Sequence, residues 1–151
     1  MEWPIGYSIK IIKEGRKDMF NLGKEKRIAN KIREMLNKRG FVVKMKISKK
    51  TKSVYLKIDN GACPTIRISD HKNYKTNSKF NVIKNYEGKR FELHNGKTRI
   101  FYNFNMLGRL IADVENERSN IILKYGYTRY KTIRDRKIYN NNYYICSRQA
   151  A

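Results

Sequence analysis

The chain has 151 residues, 40% hydrophobic and 12% aromatic, with 35 Lys+Arg against 13 Asp+Glu and a formal charge of +22 at pH 7. That apolar share supports one packed domain and excludes wholesale disorder, and no apolar run approaches the ~20 residues of a membrane span. The start, Met1-Glu2-Trp3-Pro4, lacks a secretory pattern, and two cysteines, Cys63 and Cys146, are too few for a disulfide scaffold, so a cytoplasmic protein is expected.

Residues 1–20 are weakly patterned and read as an N-terminal arm. Lys24–Arg39 then reads as an amphipathic helix, with Ile28, Ala29, Ile32, Met35 and Leu36 at helical spacing and Gly40 as its stop. Lys24, Arg27, Lys31 and Lys38 share an arc of roughly 80° beside that apolar face, a basic stripe. Three strands follow by alternation. Phe41, Val43, Met45 and Ile47 point inward, with Lys44, Lys46 and Ser48 outward. After a turn at Lys49–Lys52, Val54, Leu56 and Ile58 point inward, with Tyr55, Lys57 and Asp59 outward. Asn60-Gly61 signals a turn, and Thr65–Ser69 puts Ile66 and Ile68 in and Arg67 out.

Residues 70–78 read as a polar loop and Phe80–Ile83 as a short strand. Phe91–His94 and Lys97–Phe104, joined by Asn95-Gly96, form the clearest hairpin, with Glu92 expected opposite Arg99 and Phe91 opposite Ile100. Met106–Glu117 reads as a second helix carrying Leu107, Leu110, Ile111 and Val114 on one face. Its acids Asp113, Glu115 and Glu117 would sit at the unfavourable C-terminal end, so they need basic partners or a different boundary. Ile121–Leu123 is a strand candidate. From Tyr125 to Arg148 come six of the eleven tyrosines and six Arg or Lys, too aromatic for a wholly disordered tail. The expected architecture is α+β: an antiparallel sheet, meander plus hairpin, packed by two helices. The domain spans 21–125, and a basic, tyrosine-rich segment spans 126–151.

A charge of +22 works against compactness and calls for a polyanionic partner or a dispersed layout. Nucleic acid is the commonest such partner, because phosphates neutralised by Lys and Arg release condensed counterions. The outward sheet face of Lys44, Lys46, Lys57 and Arg67 around Tyr55 has the composition of a sequence-tolerant surface, where cations track a backbone and an aromatic stacks a base. A solvated face kept soluble by lysine fits the same pattern. The C-terminal Tyr127, Arg129, Tyr130, Lys131, Arg134, Arg136, Lys137 and Tyr139 give a second interleaving of rings and cations.

Catalytic patterns are sparse, and neither cofactor, membrane partner nor small-molecule substrate is expected. Asp70 with Glu87-Gly88-Lys89 has the outline of a restriction-like nuclease motif, two acids for Mg²⁺ and a lysine for the scissile phosphate, with Asp59 as an alternative first acid. It remains the competing reading. His71 beside Asp70 fits turn chemistry, His94 lacks an evident partner, and the cysteines and histidines have no zinc spacing.

The order helix–strand–strand–strand over Lys24–Ser69 resembles the first part of the double-stranded-RNA-binding domain. Its β1–β2 turn, Lys49-Lys50-Thr51-Lys52, lacks that family's Gly-Pro-x-His, and no Lys-Lys-x-Ala-Lys helix follows, so no contact is carried over. Ser53-Val-Tyr-Leu-Lys-Ile-Asp and Thr65-Ile-Arg-Ile-Ser-Asp-His-Lys72 resemble segments of small basic orphan proteins of phages and plasmids from AT-rich bacteria, a pool that includes anti-CRISPR proteins. That resemblance implies a stoichiometric inhibitor in the bacterial cytoplasm, binding a CRISPR nuclease, its guide RNA or its target DNA. The expectation is therefore a non-enzymatic binder of nucleic acid or a nucleoprotein.

Overall fold

The computed structural model describes residues 23–69, 76, 78–136 and 144–145. The N-terminal arm, Asp70, His71, Lys137, Tyr139 and Cys146 lie outside the described residues. Helix α1, Gly23–Asn37, buries Ala29, Ile32 and Leu36, which recur at three- and four-residue spacing. It stops where Gly40 takes φ +84°, a left-handed conformation that costs glycine nothing. The chain turns there, and the Phe41 amide donates back to the Leu36 carbonyl at 3.1 Å.

Strands β1 (Val43–Ile47), β2 (Val54–Ile58) and β3 (Cys63–Ser69) form the expected antiparallel meander. β5 (Phe91–His94) and β6 (Lys97–Tyr102) form the expected hairpin, with Phe91 opposite Ile100 and Glu92 opposite Arg99. Between the two units lies β4 (Phe80–Ile83), parallel to both β3 and β6. The sheet is thus mixed but mostly antiparallel, in the order β5-β6-β4-β3-β2-β1, with the two-residue β7 (Tyr144–Ile145) on the outer edge of β1.

Two further helices complete an α+β fold. Helix α2 runs from Leu107 to Tyr125, and α3 from Tyr127 to Arg134, with Gly126 at φ +92° breaking the axis between them. The strand expected at Ile121–Leu123 is helical: the run is short and apolar, and helical hydrogen bonding continues to the Gly126 amide, which donates to Ile122 O at 2.8 Å. This longer helix moves Asp113, Glu115 and Glu117 to its middle, and each pairs with a cation: Arg90, Arg39 and Lys79 respectively. Both remedies that the sequence called for are present.

α1 and α2 cover one face of the sheet. Ile32 and Leu36 from α1 and Leu110, Ile111 and Val114 from α2 join Leu56, Ile58, Ile66, Ile68, Phe80, Val82 and Tyr102 in one core. Each fully buried aliphatic side chain there contributes about 1.5–3 kcal/mol relative to exposure. A smaller cluster, Ile83, Tyr86 and Phe101, holds the opposite face near β4 and β6, with the Tyr86 and Phe101 rings stacked at 5.0 Å.

Candidate nucleic-acid interface

The side of the sheet away from α1 and α2 is built by the alternate residues of each strand. Register aligns Lys46, Tyr55, Arg67, Asn81 and Phe101 as one row across β1, β2, β3, β4 and β6. At the ~4.8 Å spacing of neighbouring strands, Tyr55 stands between a lysine and an arginine. Lys44 faces Lys57 directly in the β1–β2 ladder. On β1 to β4 and β6 the strand residues pointing to this side include no Asp or Glu; on β5, at the far edge, Glu92 stands on this side opposite Arg99.

This face is more enclosed than alternation implied. Lys46, Tyr55 and Lys57 are half-buried, whereas Lys44 and Arg67 retain only 8% and 5% of their surface. The expectation that Lys44 and Arg67 point freely to solvent is corrected: both are buried, Arg67 with part of its guanidinium, which a period-two pattern cannot show. The Lys44 ammonium is held below the usual lysine range, first by burial and second by Lys57. Arg67 donates from Nη2 to Ser69 Oγ at 3.4 Å, while its buried Nη1 has no partner. Asn81 donates to Ser78 O at 2.7 Å, and its buried Oδ1 is likewise unpartnered.

Beside this row lies a cleft of about 680 Å³, lined by Tyr55, Pro64, Thr65, Ser78, Lys79, Lys97, Thr98 and Arg99. Arg99 is almost wholly buried and donates from Nε to Thr76 O at 2.6 Å. Lys79 reaches Glu117 at 2.9 Å. No carboxylate lines the cleft among the described residues. Sequence reasoning missed Thr65, Lys79, Lys97 and Arg99, since Arg99 was read only as the cross-strand partner of Glu92. The signal that finds it is the alternation of Arg99 with Ile100, which puts it on the side opposite the core.

The other candidate surfaces divide. Lys24, Arg27, Lys31 and Lys38 are all exposed, about 140° around α1 from the line through Ala29, Ile32 and Leu36, nearer opposite the buried face than beside it. Arg129, Lys131 and Arg136 are exposed, and Arg134 is half-buried with Nε 3.0 Å from Asp135 Oδ1. Tyr130, expected as a contact residue, is only 2% exposed, and its hydroxyl donates to Asp59. Asp59, expected outward, is fully buried: its φ of +48° swings the side chain inward, where Oδ1 accepts the Val42 amide at 2.8 Å.

The described residues of the nuclease outline, Asp59, Glu87 and Lys89, do not gather on strands. Glu87 and Lys89 are exposed in the loop between β4 and β5, and Asp59 is held by Tyr130 and Val42. Among the described residues no three His, Cys, Asp or Glu come together as a metal cluster. Burial pushes the Cys63 thiol up to about 12, far from the thiolate a nucleophile needs. No helix among the described residues is long and apolar enough to cross a membrane. No protein family, curated protein or solved structure matches the chain.

Proposed function

We propose that the chain is a non-enzymatic binder of nucleic acid or of a nucleoprotein complex. The observation that carries this reading is the cross-strand row in which Lys46 and Arg67 flank Tyr55, on strands that present no acid to that side. A surface of cations with an aromatic among them suits a phosphate backbone and its bases. The exposed stripe of Lys24, Arg27, Lys31 and Lys38 on α1 supplies long-range attraction that raises association rates and weakens with salt. The resemblance of the β2 and β3 segments to mobile-element orphan proteins supports the setting: a counter-defence inhibitor that occupies a CRISPR nuclease, its guide RNA or its target DNA.

The test measures binding of labelled single- and double-stranded RNA and DNA across a salt series with Mg²⁺ present, checking product length. Intact oligonucleotide and an affinity falling steeply with salt are expected. Shortened product would favour an Mg²⁺-dependent nuclease. Negligible binding of all four substrates would remove nucleic acid as the direct partner.

A further inference from the structure

The cleft beside the cross-strand row has features that general charge does not require. Arg99, 4% exposed, is fixed at its rim by a 2.6 Å hydrogen bond to Thr76 O, so its guanidinium is held in place before any ligand arrives. Lys97 comes from the turn end of the hairpin and is exposed. Thr65 adds a hydroxyl from β3, and Tyr55 forms the wall on the β2 side. Two residues along β3 from Thr65, Arg67 keeps a buried Nη1 with no acceptor. Cations around a cleft whose described lining holds no carboxylate favour an anion, and planar guanidinium groups match phosphate oxygens well.

We propose that this cleft seats one phosphodiester of a single-stranded nucleic acid while the adjoining base stacks on Tyr55. The proposal rests on the nucleic-acid reading above and narrows it to unpaired strands. A duplex keeps its bases stacked on one another and offers no face to a tyrosine in a sheet, whereas an unpaired base is free to leave its neighbours. The half-buried Tyr55 lies against both the cleft and the Lys46–Arg67 row, so a strand crossing it meets cations on either side of the ring.

The experiment uses full-length protein and fluorescence anisotropy with labelled single-stranded oligouridylate, oligothymidylate and a mixed-sequence duplex of equal length. Tyr55→Leu is expected to weaken single-strand binding by about 5- to 100-fold, the range for loss of one base stack, while Tyr55→Phe retains it. Lys97→Ala, at an exposed turn position that leaves the core untouched, should lower the slope of log affinity against log salt by about one. Triple replacement of Lys24, Arg27 and Lys31 by Ala serves as the control for charge alone. If that triple variant weakens binding while Tyr55→Leu and Lys97→Ala do not, the cleft is refuted and the broader reading survives. Preference for the duplex also refutes the cleft. Absence of binding to every probe by the unaltered protein refutes both the cleft and nucleic acid as the direct partner.

Discussion

The Tyr130 hydroxyl donates to Asp59 Oδ2, joining α3 to the turn between β2 and β3 across 71 positions of sequence. Asn60, next in the chain, donates from Nδ2 to Arg136 O at 2.8 Å, so the same turn holds the end of α3 as well. Residues Asp59 and Asn60 both adopt positive φ, a region that Asp and Asn tolerate better than most side chains. The turn is thus a docking point for a helix whose charged residues are all basic.

Removing the donor tests this anchor. Tyr130→Phe keeps the ring but leaves a buried carboxylate oxygen without its partner, at an expected cost of about 1–3 kcal/mol. Urea unfolding would measure the loss, and amide exchange in residues 127–134 should accelerate more than exchange in β2 or β3. Equal acceleration everywhere would mean the bond supports the whole fold and does not specifically hold α3.

Asp59 also gives a pH dependence with a definite sign. Burial raises its carboxyl pKa above the ordinary value, outweighing the opposing hydrogen bonds from Tyr130 and Val42 and the attraction of Arg118 and Arg134. A raised folded pKa means the group's contribution to stability is fully present below the unfolded value of about 4 and is lost as pH rises through the folded one. Asp59→Asn removes this titration. Relative to that variant, the unaltered protein is therefore expected to lose stability as pH rises from about 4 through the raised folded value. A stability difference that stays flat over this range, measured by urea titration, would contradict the assignment.

Arg90 joins the hairpin unit to α2. Its Nη2 donates to Asp113 Oδ2, which also accepts from the Tyr102 hydroxyl at 2.7 Å, and its guanidinium lies 4.6 Å from the Phe91 ring centre. Both Arg90 and Asp113 are about three-quarters buried. Arg90→Ala should cost about 1–3 kcal/mol by leaving a partly buried carboxylate short of one donor. Arg39→Ala, at an ion pair with Glu115 that is 42% exposed on each side, should cost less than about 1 kcal/mol. Thermal unfolding of the two variants would rank them, and the reverse order would contradict this account.

Much of the scaffold was legible because local patterns decided it. Ala29, Ile32 and Leu36 repeat at helical spacing, the meander alternates strictly, and Asn95-Gly96 sets the hairpin register to the residue. The place of β4 was not legible, since Phe80–Ile83 is buried on both sides and its parallel neighbours leave no mark in its own four residues. Ile121–Leu123 misled because three apolar residues fit either element, and the helix N-terminal to them settled the matter. For the site, composition found Lys46, Tyr55 and Lys57. It missed the cleft because Lys79, Lys97 and Arg99 come from segments read for their turns and pairings. It also placed Tyr130 at the surface, because nothing near that residue announces a partner 71 positions away.

The parallel seat of β4 has a consequence for how the chain assembles. β1–β2–β3 and β5–β6 each close through short turns, which cost little chain entropy and form quickly. β4 completes no hairpin with either neighbour: both run parallel to it, so its pairing is non-local and intrinsically slower than hairpin closure. The order of events should therefore be two separate halves first and the central strand last. Val82→Ala, which trims a fully buried side chain in that strand, is expected to speed unfolding while leaving the folding rate nearly unchanged. A matching drop in folding rate would place β4 in the nucleus instead. The keystone of this sheet is, on that view, its latest arrival.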